Sequence, residues 1–313
     1  MSLTHAERVE GGLLGLLVGD ALGVPYEFHR PENLPPREAL EMVPPQGFPR
    51  AHRGVPAGTW SDDGALALAL LDSLLTCGAL DLDDFARRML AWFEEGAYTA
   101  DGRVFDVGVQ TSRAFRAILG GASPEVSGPS AERENGNGSL MRVLPLALFH
   151  DGPLEELVTL AERQSLPTHG HLRSRVSCAF YCVWARHELS GHTDGFARAA
   201  ADLGRMYADS AERLEVLEFH LRPEDESPGG GSGYVIDTLR SSRDVLREPS
   251  FEAVVKAAVA LGHDTDTTAC VAGGIAGIRH GASGIPARFR EALAGERVYR
   301  PLLDRLLARV RAT

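Results

Sequence analysis

An all-α fold is predicted by three features of the 313-residue sequence. Apolar positions recur mainly at the three-to-four spacing that lines one face of a helix, while β-branched and aromatic residues in strict alternation are scarce. Helix-start signals stand where the apolar runs begin: Thr4 with Glu7 makes a capping box, and Asp81 with Asp84 opens a second run. Glycines then recur every four residues in two of the runs, which lines them up along one face of each predicted helix.

Taken in order, Thr4 starts a first helix that ends near Gly23 and carries Gly11, Gly15, Gly19 and Gly23 in one row. Ser61-Asp62-Asp63 precedes an apolar helix over 65–75, and 82–95 follows from its aspartate cap. Further helices are predicted at 113–119, 140–149, 154–164, 171–189, 196–207, 211–220, 234–246, 251–260, 267–278, 287–294 and 302–310. The 267–278 helix continues into the second glycine row, Gly273, Gly277 and Gly281. Glycine inside a helix costs about 1 kcal/mol relative to alanine, so each row implies either a close helix contact or an approach to ligand. The Pro/Gly-rich stretches 31–58, 120–138 and 223–233 are long connections. Apolar periodicity resumes after each, so a single domain over 1–313 is expected.

Composition narrows the function. With 44% hydrophobic and 24% charged residues the chain is an ordinary globular protein. A net charge of −11 argues against a broad basic face, so no nucleic-acid partner is expected. Lys256 is the sole lysine and lies outside any G-x-x-x-x-G-K motif, which excludes a Walker-type loop and disfavours Schiff-base chemistry. Cys77, Cys178, Cys182 and Cys270 form no C-x-x-C pair and read as buried thiols. The N-terminus has no basic segment leading into an apolar stretch, and runs such as 65–71 and 269–278 are too short to span a bilayer. A monomer in the cytoplasm, with no membrane partner, is the expectation.

The strongest chemical signal is a matched pair: Ser61-Asp62-Asp63 and Asp264-Thr265-Asp266-Thr267 each precede a very apolar helix. Either cluster alone is accounted for by capping and by the helix dipole, worth roughly 0.3–1 kcal/mol per carboxylate. If the two helix starts meet, however, four carboxylates repel unless cations lie between them. The donors are hard oxygens without a His or Cys pair, which favours Mg²⁺ or Mn²⁺ over zinc or copper. Calcium fits less well, because Thr268 and Ala269 stand where an EF-hand needs Asp/Asn and Gly.

Other residues are compatible with chemistry. Glu27 falls in an irregular segment after Pro25, where an acid is expected to be mobile and reachable; a general acid/base and a solvated surface glutamate are both consistent with it. Gly136-Asn137-Gly138-Ser139 feeds a predicted helix and could present backbone N–H groups to a phosphate, or form an ordinary turn with Ser139 as cap. Asp106 is a loop acid or a cap, and His169 a ligand contact or a structural histidine.

Six ordered motifs together resemble the ADP-ribosylglycohydrolase family: 19–27 with Asp20 and Glu27, Trp60-Ser61-Asp62-Asp63, Gly136 through Arg142, Thr168-His169, Gly233-Tyr234 through Leu239, and Gly262 through Thr267. The resemblance spans most of the chain. It implies a compact orthogonal helical bundle with a binuclear Mg²⁺ or Mn²⁺ site in a cleft that takes ADP-ribose. Its implied metal ligands are Ser61, Asp62, Asp63, Asp264, Asp266 and Thr267. The 136–139 loop would face the diphosphate, with His169, Gly233 and Tyr234 also on the substrate side. Glu27 would sit at the distal ribose, and Asp106 matches a loop acid that some members use. Ser61 stands where threonine is usual, Gly64 replaces a common threonine and His263 a common glycine. The implied activity is hydrolysis of the bond between ADP-ribose and an acceptor: a protein arginine or serine, or a small ester. A two-metal nucleotide phosphoesterase and a non-catalytic ADP-ribose-binding protein are the alternatives.

Overall fold

The Thr4–Glu7 box forms as the sequence predicts: the Thr4 hydroxyl accepts from Glu7 N at 3.2 Å, and Glu7 accepts from Thr4 N at 2.7 Å. It opens α1 (His5–Gly23) in a computed structural model that describes residues 3–312. Among the described residues α2 (Asp62–Cys77), α3 (Leu82–Glu95), α4 (Val109–Leu119), α5 (Leu144–Phe149), α6 (Leu154–Ser165) and α7 (Leu172–Leu189) follow. The remainder are α8 (Gly195–Met206), α9 (Ala211–Glu215, prolonged by a π-helical turn), α10 (Val235–Val245), α11 (Phe251–Ala260), α12 (Thr265–Gly284), α13 (Ala287–Ala292) and α14 (Glu296–Ala312). Among these residues the sole β pairing is a bridge between Gly136 and Tyr234. The fold class is all-α, as predicted.

The glycine rows settle how the centre is assembled. A Cβ added at Gly11 would lie 2.2 Å from the Gly277 carbonyl, at Gly15 2.3 Å from that of Gly273, and at Gly19 2.0 Å from that of Ala269. Residue numbers rise on one helix as they fall on the other, so α1 and α12 run antiparallel with their backbones in contact. The rows are therefore a packing device rather than an approach to ligand. Their consequence is positional: antiparallel contact sets the C-terminal end of α1, at Asp20 and Gly23, beside the start of α12 at Asp266. Thr265 seals that end by donating its hydroxyl to the Gly23 carbonyl at 2.8 Å. Helix α2 packs against α1, α3, α5 and α14, and one apolar cluster runs through all of them.

Several element bounds differ from the sequence expectation. The 140–149 run is helical only from Leu144, because Pro145 fits the first turn and the preceding residues form turns. The last helix begins earlier, at Glu296, and continues through Pro301. Helix α12 starts at Thr265, so Asp266 and Thr267 lie in its first turn, and its last residues follow a break at Gly281 (φ +68°). Cys77, expected to be buried, is exposed: it is the last residue of α2 and lies beyond that helix's buried stretch. The other three thiols are buried.

Candidate active site

The two acidic clusters meet. The Ser61 hydroxyl donates to Asp63 Oδ2 at 3.0 Å, and the Thr267 hydroxyl reaches the same oxygen at 3.4 Å, joining the starts of α2 and α12. Asp20, Asp63 and Asp266 are fully buried and each offers a carboxylate oxygen within 4.8 Å of the others. Asp20, from inside the first helix, accepts from Ser61 N at 2.9 Å and Gly64 N at 2.7 Å. It thereby anchors the start of α2. Gly64 is required here, since a Cβ would lie 2.8 Å from the Trp60 ring and 2.9 Å from Leu17.

Capping does not absorb these carboxylates. The α2 cap is the Ser61 hydroxyl, which accepts from Asp63 N at 3.3 Å, and no side chain caps α12. Asp63 Oδ1 and Asp266 Oδ2 are buried with no hydrogen-bond partner among the described residues. Leaving a buried anionic oxygen unpaired is expensive, so the donor set fits a hard divalent cation. Without that charge, burial and mutual repulsion push Asp62, Asp63 and Asp266 well above the usual carboxylate range. Burial raises Asp20 to about 7, and burial with the charge of Asp264 raises Asp106 to about 6.

Above the cluster lies a cleft with two chambers. The inner one, about 260 Å³, is lined by Asp62, Asp106, Asn137, His169, Asp264 and Thr267 among others. The outer one, about 820 Å³, is lined by Phe28, Ser232, Gly233, Tyr234, Asp237 and His263. Glu27 and Asp264 border both. Contrary to the expectation of a mobile acid, Glu27 is buried and its Oε2 lies 2.5 Å from His52 Nε2. Burial, with the nearby charges of Asp106, Asp264, Asp63 and Asp20, pushes it up to about 11.

The cleft wall is clipped together by backbone. Asn137 N donates to the Gly233 carbonyl at 3.1 Å and Val235 N to that of Asn135 at 3.0 Å, so the 136–142 and 233–239 motifs are one structure. Asn137 Nδ2 bonds Thr238 Oγ1 at 2.9 Å and Asp264 Oδ2 at 2.8 Å, tying that structure to the acidic cluster. Of the loop's amides, Gly136 N is taken by Gln110 Oε1 at 2.8 Å, while those of Gly138 and Ser139 meet no acceptor among the described residues. Ser139 is no helix cap. Its hydroxyl turns into the core, where it accepts from Ser165 at 2.8 Å, so its side chain does not line the cleft. A Cβ at Gly138 would lie 2.8 Å from His169 Cε1, so glycine is what lets this buried ring face the loop. Burial, with the adjacent Arg142 charge, depresses His169 to about 3, so it is neutral at any ordinary pH. Arg142 is itself wholly buried, donating to Gly138 O at 3.2 Å and to Thr168 Oγ1 at 2.7 Å.

Backbone strain gathers at the same place. Of the six non-glycine residues with positive φ among those described, four surround the cleft: Phe28, His52, Asp106 and His263. Such conformations cost roughly 1–3 kcal/mol each and persist where the surroundings enforce them. His263 and Phe28 enforce one another, with Phe28 N donating to His263 O at 2.7 Å and His263 N to His29 O at 2.6 Å. At φ +60° a glycine would be unstrained, whereas His263 is exposed and lines the outer chamber.

A family model described as ADP-ribosylglycohydrolase matches residues 1–313. The chain belongs to the ADP-ribosylglycohydrolases. It is 27% identical to an ADP-ribosylarginine hydrolase of Serratia proteamaculans, over 96% of this chain and 79% of the relative. It is 28% identical to the ADP-ribosyl-[dinitrogen reductase] glycohydrolase of Rhodospirillum rubrum, over 96% of each chain. A solved structure titled ADP-ribosylglycohydrolase-related protein complex superposes with a TM-score of 0.77 at 30% identity, covering 98% of both chains. This architecture is therefore that of the ADP-ribosylglycohydrolases. Two participants escaped the sequence reading: Asp20, a lone charge in an otherwise apolar helical run, which was the available signal, and His52, which lies in an aperiodic loop and gave none.

Proposed function

We propose that the chain is a divalent-cation-dependent hydrolase that splits the glycosidic bond between the distal ribose of ADP-ribose and an acceptor side chain. The observation that carries this reading is the set of buried, unpaired carboxylate oxygens on Asp63 and Asp266 beneath a cleft with a glycine loop on its wall. Asp62, Asp63, Asp264 and Asp266, with Ser61 and Thr267, would hold two cations, Mg²⁺ or Mn²⁺ by the hardness of their oxygens. When bound, such ions neutralise the carboxylates, orient sugar hydroxyls and acidify a water.

The remaining work falls to the chain. The free amide of Gly138, with neutral His169 beside it, suits a diphosphate as a hydrogen-bond donor. Tyr234 and Gly233 line the outer chamber on the acceptor side. In hydrolysis the bond from the ribose carbon to the acceptor breaks, a bond from that carbon to water oxygen forms, and one proton moves from water to the leaving group. Glu27 borders both chambers and is placed to carry that proton; Asp106 borders only the inner one. Carboxylates around the ribose also stabilise the positive charge that develops as the acceptor leaves.

The acceptor we favour carries a guanidinium. The outer chamber offers Asp237, Asp264 and the faces of Phe28 and Tyr234, with no arginine or lysine among its lining residues. The test is a release assay on arginine-, serine- and ester-linked ADP-ribose with Mg²⁺, Mn²⁺ or chelator. ADP-ribose and unmodified arginine acceptor are expected, with cation only. AMP as product, or release undiminished by chelator, would overturn the reading.

A further inference from the structure

We infer that His52 is a positioning residue for the reaction proposed above, holding the Glu27 carboxylate at the junction of the two chambers. The inference rests on that reading for its chemistry and on geometry for the contact. Glu27 leaves the 3₁₀ turn Val24–Tyr26 and is followed by Phe28 at φ +64°, so its own backbone does not fix three side-chain torsions. Among the described residues its carboxylate has one hydrogen-bond partner, His52 Nε2, 2.5 Å from Oε2. Oε1 is left without one, and is the oxygen available to water or a leaving group.

The histidine is itself held. Its ring packs between Phe105, with centroids 5.0 Å apart, and Phe28, at 5.5 Å. Its backbone is in the left-handed region, φ +46°, pinned by Ala51 N donating to Pro25 O at 3.0 Å and by Val55 N donating to His52 O at 3.0 Å. A non-glycine residue keeps that conformation only where its surroundings demand it. Phe105 also precedes Asp106 in the chain, so one aromatic contact aligns the second cleft acid with the first. Polar atoms of Glu27, His52 and Asp106 lie within 4.8 Å of one another. Catalysis of a proton transfer tolerates little displacement: about 1 Å of misplacement costs roughly a hundredfold.

The experiment compares wild type, His52→Ala and His52→Gln. Steady-state kinetics on ADP-ribosylarginine peptide with Mn²⁺, ADP-ribose affinity by calorimetry and crystal structures of all three are the readouts. His52→Ala should lower kcat at least tenfold with KM and ADP-ribose affinity within threefold of wild type, and should displace the Glu27 carboxylate. His52→Gln, whose amide can either donate to or accept from Glu27 in place of the ring nitrogen, should recover at least a third of the wild-type kcat and restore the carboxyl position. A kcat within twofold of wild type in His52→Ala, or equal losses in both variants, overturns the inference. If wild type itself releases no ADP-ribose, the functional reading fails, and the structures alone decide His52: a Glu27 carboxylate unmoved in His52→Ala overturns it. Should the alanine variant not fold, the glutamine variant is compared with His52→Leu, which fills similar space without a hydrogen-bonding group.

Discussion

Asp63 and Asp266 each bury one carboxylate oxygen with no hydrogen-bond partner among the described residues, and that makes them the most informative residues to change. Asp63→Asn or Asp266→Asn should reduce kcat by at least about a hundredfold, a loss typical of removing one electrostatic contributor to a transition state. Because each removes a buried anion, the cation-free variant should melt no lower than cation-free wild type. Release assays and thermal denaturation in chelator check both halves. His169 gives a prediction with a definite sign. Its folded pKa, about 3, lies below the ordinary value of 6.5, so the unfolded chain binds the proton more readily and this group's contribution is lost as pH falls below 6.5. By pH 5 the loss is about 2 kcal/mol. Urea unfolding at pH 7.5 and 5.0 should therefore show the stability gap between wild type and His169→Phe shrinking by that amount on acidification. A constant gap would mean that the ring is not held neutral. Residue types in short motifs made the acidic clusters and His169 legible from the sequence. Glu27 was legible as an acid but not as a buried one, because its burial comes from a loop that folds back 25 residues later in the chain.

Among the helices, the contact of α1 with α12 positions the acidic cluster. The period-four glycines were visible in the sequence, but only the structure separates helix contact from ligand approach, since both require a missing side chain. Gly277→Ala would put a Cβ 1.9 Å from the Gly11 carbonyl and Gly19→Ala 2.0 Å from that of Ala269. Backbone cannot yield as a flexible side chain does, so each should cost about 3 kcal/mol, the upper part of the range for overpacking. The two should differ in function. Gly19 adjoins Asp20 at the acidic cluster, so its alanine variant should also weaken Mn²⁺ binding; Gly277, at the far end, should leave the affinity of the folded protein unchanged. Urea denaturation and Mn²⁺ calorimetry distinguish them. Helix existence was readable from apolar period, whereas starts such as Leu144 and Glu296 shifted because one proline fitted a first turn and another was accommodated within a helix.

For the whole molecule, the proposed function makes a cation a folding ligand as well as a catalytic one. Carboxylates with raised folded pKa values favour the folded state when protonated, so in chelator they destabilise it increasingly as pH rises from about 4 through the value near 7 of Asp20. Divalent cation should relieve that penalty most at neutral and alkaline pH. The rise in Tm on adding Mn²⁺ should therefore be larger at pH 8 than at pH 5.5, by scanning calorimetry. A rise independent of pH would separate the ion from these carboxylates. Among the described residues no helix is long and apolar enough to cross a membrane, matching the sequence expectation on that point. We propose that Asp62, Asp63, Asp264 and Asp266 hold divalent cations between them. An anomalous difference map from crystals grown with Mn²⁺ tests this most directly: two peaks are expected among these carboxylates, both lost in Asp266→Asn, and a map without density there at saturating Mn²⁺ would rule the metal centre out.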